Sequence, residues 1–155
     1  MSSPSRPRTE LTRRAALGWL GALPLAAGSA RAAEPVLRFS ELYAKVGVLG
    51  MEFSDKVEAL AGKRVTMLGF MAPPLKAEAN FFVLTETPMA LCPFCSSDAD
   101  WPANIVVVYL ARTQTFVQPS RIIAVDGRLE MGSWTDPETG FLSLLRLREA
   151  RYEVA

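Results

Sequence analysis

The chain has 155 residues, 50% of them hydrophobic and 21% charged, with a formal net charge of +1, two cysteines and no histidine. That length suits one domain with one core. A balance this close to neutral offers no basic surplus for a phosphate backbone, so nucleic acid is excluded as a partner. Without histidine, neither a Ser-His-Asp triad nor c-type haem attachment can be built.

The N-terminus reads as three blocks. Residues 1–14 are polar and basic, with Arg6, Arg8, Arg13 and Arg14 against Glu10; residues 15–27 are apolar; Ala30 and Ala32 then form an A-x-A cleavage site. Basic, apolar and small in that order is the layout of a cleavable export signal, here predicted over 1–32. The apolar block is shorter than the roughly 20 residues a membrane span needs. Thr12-Arg13-Arg14-Ala15-Ala16-Leu17 carries the paired arginines of the twin-arginine route, although Ala16 stands where a bulky residue is usual. The alternative is a general-secretion signal with two adjacent arginines. Five arginines and one glutamate lie in 1–32, so removing them leaves 123 residues at a net charge of −3. No lipobox cysteine marks the cleavage site. The expectation is therefore a periplasmic, soluble domain over 33–155 with no stable membrane insertion.

Residues 33–38 read as a tether. Ser40 or its neighbours can cap a short helix through Glu41, Leu42, Tyr43 and Val46, ended by Gly47 or Gly50. Ser54 and Asp55 open a second helical turn through Val57 and Leu60, stopped by Gly62. The remainder reads as strands. Residues 63–72 form a β-branched and apolar run closed by Pro73-Pro74, with Gly69 inside it as a bulge or bend signal. Residues 81–85 are a short apolar strand. Residues 104–111 form a continuous apolar run, as expected where both faces are covered. Residues 121–131 follow, interrupted by a turn or bulge signal at Asp126-Gly127, and residues 141–154 close the series. Phe81, Phe82 and Phe94 read as core, as do Met67 and Met71 on one strand face. Trp101 reads as packing its loop down, and Trp134 as part of a turn with Gly132 and Pro137. Five strands with glycine kinks and only short N-terminal helices predict a mainly β fold, a small five-stranded OB-like barrel. A small antiparallel sandwich is the alternative.

Between the second and third of these strands lies Cys92-Pro93-Phe94-Cys95, followed by Ser96, Ser97, Asp98, Ala99 and Asp100. Two thiolates supply half of a tetrahedral zinc site, and Asp98 or Asp100 can add oxygen ligands. Met89, three residues upstream, admits a soft sulfur cluster for Cu(I) as a second choice. A dithiol redox pair is the other chemistry. It needs a thiolate lowered by a following helix, and the segment before the next strand has room for one turn at most, capped by Ser96, Ser97 or Asp98. A structural disulfide is the third reading, favoured by an oxidising compartment, though so short a loop gains little from closure.

Gly62-Lys63-Arg64-Val65, Gly69-Phe70-Met71-Ala72-Pro73, Phe82-Val83-Leu84 and a cysteine loop closing on Pro102-Ala103-Asn104 before Ile105-Val106-Val107-Val108 form one run. This run resembles a family of small exported bacterial proteins defined by a domain of unknown function. Cys95 with Asp98, Ala99 and Pro102 is also similar to the cysteine–aspartate loop of an exported OB-like domain in membrane proteins linked to metal-responsive permeases. Members of the first group often carry histidine and a proline-rich stretch in the loop, and this sequence has neither. The resemblance spans residues 60–110. It implies an accessory or binding protein associated with a membrane transport complex for metals or lipoproteins, and no known reaction. The combined expectation is a metal-handling binding module centred on Cys92 and Cys95, with zinc as the metal. A thiol–disulfide redox protein and a module with a stapled loop are the alternatives.

Overall fold

In the computed structural model, residues 33–47, 50–73, 80–89 and 101–155 are described. Their centre is a closed barrel of five strands. These are β3 (Arg64–Met71), β4 (Phe81–Thr85), β5 (Ile105–Leu110), β6 (Ile122–Thr135) and β7 (Leu142–Val154), hydrogen-bonded in the order β3-β4-β5-β7-β6 and back to β3. Every pair is antiparallel except β5 with β7. The fold is mainly β, as the apolar runs predicted.

Alternation along each strand fills the interior. On β3, Val65, Met67 and Met71 are buried while Leu68 between them is half exposed, which is the period-two pattern of a sheet with one face inward. The pairings carry that inward face through Leu84, Val106 and Val108 to Leu147 and Leu129. All of these are fully buried. Ile105 to Val108 are buried on both faces, matching the unbroken Ile-Val-Val-Val run. Phe81 and Phe82 are buried too; Phe94 lies outside the described residues.

The two glycine signals mark the points where the barrel bends. At Gly69 strand β3 leaves β6 for β4: Phe70 pairs with Ile122 on one side and Thr85 on the other. Backbones come so close there that a Cβ on Gly69 would stand 2.7 Å from the Thr85 carbonyl oxygen. At Gly127 the β6–β7 register slips between Asp126 and Arg128, a bulge that raises local twist. A second slip lies between Met131 and Trp134, with Gly132 at φ 101.

The N-terminal part departs from expectation in two places. Residues 33–38 are no tether. Leu37 is fully buried, its N–H donates to the Thr66 carbonyl at 2.9 Å, and the Thr66 N–H donates to Pro35 at 3.0 Å. Since β4 reaches β3 only at Phe70 and Met71, the start of β3 has an open edge, and Val36 bridges to it in parallel. Nor is there a helix through Glu41, Leu42, Tyr43 and Val46. Only a 3-10 turn, Phe39–Glu41, precedes a hairpin of β1 (Tyr43–Gly47) and β2 (Gly50–Phe53). The glycines read as helix stops instead flank a strand reversal. The second expected helix forms as α1 (Asp55–Leu60). Ser54 caps it by accepting the Val57 N–H at 3.2 Å, and Gly62 follows at φ 76. Val57 is fully buried, and α1 touches β6.

Candidate functional site

Cys92, Cys95, Asp98 and Asp100 lie outside the described residues, as does the export signal predicted over 1–32. What is described is the pair of strands between which the cysteine loop runs. It leaves β4 after Thr85 and re-enters the sheet at Ile105, the directly paired residue on β5. The Thr85 side chain is fully buried. Its hydroxyl lies 2.7 Å from the Thr87 carbonyl and 3.3 Å from that of Phe70, so it ties the first step of the loop to β3. One residue further, the Glu86 N–H donates across the stem to the Asn104 carbonyl at 3.1 Å.

Trp101 holds the far side of the stem. It is 4% exposed, and its indole N–H donates to the Tyr43 hydroxyl at 2.9 Å. Tyr43 in turn stacks on Phe53 across the hairpin, with ring centroids 5.5 Å apart. The expectation that Trp101 packs down is met, and its partner is the β1–β2 hairpin. Burial pushes the Tyr43 hydroxyl up to about 12, against a smaller downward pull from the indole donor. A tyrosine whose folded pKa exceeds its unfolded value of about 10 favours the folded state below pH 10, and that stabilisation is lost as pH rises toward the folded value. Stability should fall by roughly 2–3 kcal/mol between pH 10 and about 12 from Tyr43. Urea midpoints set beside tyrosinate absorbance will check this; ionisation near pH 10 with no loss of stability would contradict it.

Among the described residues, no three Cys, Asp or Glu side chains converge to hold a metal ion. The metal expectation thus rests on the cysteine loop and its own donors.

A second cluster sits at the opposite end of β4 and β5, and the sequence reading did not find it. Trp134, expected in a turn, is a strand residue of β6 paired with Ser143. The reversal comes later, at residues 136–140: Asp136 accepts N–H groups from Glu138 at 2.8 Å and Thr139 at 3.4 Å, and Gly140 has φ 72. Phe141, Phe81 and Tyr109 form a chain of ring contacts, at 5.6 Å and then 5.5 Å, and Tyr109 meets Trp134 edge-on at 5.4 Å. Two arginines of β7 lie against this chain. Arg146, 8% exposed, donates to Glu130 at 2.9 Å and to the Gly132 carbonyl at 2.9 Å. Arg148 donates from Nε to the same Glu130 oxygen at 3.3 Å, and its guanidinium carbon lies 4.1 Å from the Trp134 centroid and 4.6 Å from that of Tyr109. The Tyr109 hydroxyl is buried close to Asp136, but the two are not aligned into a hydrogen bond. Burial, with the Asp136 charge added, drives its pKa upward against the opposing pull of Arg148 and Arg146. Leu145-Arg146-Leu147-Arg148 was the available signal: in a strand, that alternation sets two cations on one face.

In fold, the chain is similar to a DUF3299 family protein from Pseudomonas aeruginosa PAO1, known from a 2.45 Å crystal structure. The TM-score is 0.54 and the sequence identity 15%, over 79% of this chain and 97% of the other. No family model matches the sequence, and no curated protein does. At that identity the likeness is one of fold. No helix among the described residues is long and apolar enough to cross a membrane.

Proposed function

We propose that this chain is an exported accessory protein of the periplasm that binds rather than catalyses, built on an OB-type barrel, with the Cys92-Pro93-Phe94-Cys95 loop as its centre. It belongs, on this reading, with the small exported domain-of-unknown-function proteins that its sequence resembles, and its partner is a membrane transport complex. The strand circuit supports the OB reading: five strands closed as a Greek-key barrel, with β5 parallel to β7. A twin-arginine signal favours a bound metal, because that route exports folded proteins and can carry a metal loaded in the cytoplasm.

The observation that carries the reading is the rooted stem. Both ends of the loop are held, to the barrel strands at Thr85 and at the Glu86–Asn104 hydrogen bond, and to the β1–β2 hairpin at Trp101. A metal ion bound by a loop loses less affinity to ordering when the loop's ends are already held. Cys92 and Cys95 are the thiolate ligands on this reading, and Asp98 and Asp100 complete a zinc site with oxygen or leave a position to water.

Elemental analysis with a free-thiol count, on protein purified from its own cell envelope, tests this. About one zinc per chain, lost in the Cys92→Ser/Cys95→Ser double variant, is the expected result. Neither metal nor free thiol would overturn it and leave a disulfide, whose reduction potential would separate a redox pair from a staple.

A further inference from the structure

The arginine–aromatic cluster lies at the end of β5 away from Ile105, where the stem of the cysteine loop rejoins the sheet, and the inference drawn from it stands whether or not the loop binds metal. We propose that Arg148, stacked on Trp134 and Tyr109 with its Nε held by Glu130, anchors a binding site for a monocarboxylate carrying an aromatic or apolar body.

The argument starts from what each side of the guanidinium is doing. Its flat face is taken by two aromatic rings, at 4.1 and 4.6 Å. Its Nε edge is taken by Glu130 at 3.3 Å. Among the described residues, no hydrogen bond reaches the two Nη groups. The side chain is 29% exposed, so this fork is open to solvent while the rest is fixed. Arginine loses less freedom on binding when its plane is already set, and a planar pair of N–H donors matches the two oxygens of a carboxylate.

The surrounding groups narrow the ligand. Arg146 is committed to Glu130 and Gly132, and its side chain is only 10% exposed. One Glu130 oxygen serves both guanidiniums, which leaves positive charge at Arg148 for an incoming anion. Asp136 sits at the other side of Tyr109 with its carboxylate turned to the hairpin amides. A single open guanidinium fork therefore faces solvent beside two acids. It matches one carboxylate, whereas the second charge of a phosphate dianion would be repelled by Glu130 and Asp136 with no further uncommitted cation of the cluster to meet it. Across the strand pair, Arg128 stands in register with Arg148 but is engaged by Glu149 at 2.8 Å. The partly exposed Trp134 and Tyr109 rings beside the fork provide apolar surface for the body of the ligand.

The test is an NMR titration of the arginine Nε–H and tryptophan indole signals with phenylacetate, acetate and inorganic phosphate at constant ionic strength. Saturable shifts at Arg148 and Trp134 are expected, with phenylacetate binding more tightly than acetate and phosphate giving none that saturate. Arg148→Gln should weaken phenylacetate at least about tenfold, the loss of a charge-assisted pair of hydrogen bonds. Arg148→Lys should weaken it nearly as much, because it keeps the charge and loses the fork. Arg151→Gln removes one positive charge from the same strand and should leave affinity within about twofold. Non-saturating shifts, phosphate binding as tightly as phenylacetate, or wild-type affinity in Arg148→Lys would each overturn the proposal. If Arg148→Gln fails to fold, Arg148→Lys, checked by circular dichroism, carries the test alone.

Discussion

Alanine at Gly69 is expected to destabilise the barrel by about 3 kcal/mol, although the backbone there is one that alanine adopts freely. The cost is steric. The added Cβ would stand 2.7 Å from the Thr85 carbonyl oxygen and 3.0 Å from the Leu84 side chain. The nearest obstacle is backbone in a paired strand, which no rotamer change relieves. Gly62→Ala makes the useful contrast. That glycine has φ 76 and open space around it, so its replacement adds only left-handed strain of about 1–2 kcal/mol. Urea unfolding with an unchanged slope should therefore rank Gly69→Ala as the more damaging of the two; the reverse order would mean that β3 and β4 can move apart at the bend. The displaced carbonyl belongs to the last residue before the cysteine loop, so the same substitution is also expected to disturb the loop stem.

The barrel could be read from the sequence because its strands announce themselves locally. Ile105 to Val108 are apolar without a break since both faces of β5 are covered there, and the β-branched and apolar run of 63–72 marked β3 as a strand, although only its burial, not its sequence, alternates. Gly69 and Gly127 signalled irregularity for a reason the structure makes physical: each lies where a neighbouring strand leaves no room for a side chain. The N-terminal misreadings share a different cause. Residues 33–38 hold one proline, Pro35, and no helical or alternating pattern beyond one apolar pair, Val36 and Leu37, and their order comes from the open edge of β3. The hairpin β1–β2 was mistaken for helix because Leu42, Tyr43 and Val46 also satisfy helical spacing. Tertiary stacking of Tyr43 on Phe53 decides the matter.

The two sites differ in the same way. A Cys-x-x-Cys segment is contiguous and visible, yet its chemistry depends on ligands that spacing alone does not choose. The arginine–aromatic cluster draws Tyr109, Trp134 and Arg148 from three different strands, joined only by the parallel β5–β7 pairing and the bulged end of β6. No local pattern encodes that convergence beyond the alternating arginines of β7.

Trp101 links the hairpin to the loop, and its removal should have the other large effect. Trp101→Ala is expected to lower stability by about 3–5 kcal/mol, because a nearly fully buried indole is lost at the point where the loop rejoins the sheet. Trp101→Phe keeps most of the buried ring and gives up the 2.9 Å hydrogen bond to Tyr43, so it should cost about 1–2 kcal/mol. Tyr43→Phe removes the same bond from the other side while keeping the stack on Phe53. If the bond is what couples loop to hairpin, the double variant should be about 1 kcal/mol less destabilised than the sum of the two single changes. Strict additivity would mean that the hairpin and the loop stem are held independently, and that Trp101 acts through packing alone. The metal reading gives the coupling a consequence: with the stem loosened in Trp101→Ala, zinc retained by Cys92 and Cys95 should exchange faster with a chelator than in Trp101→Phe.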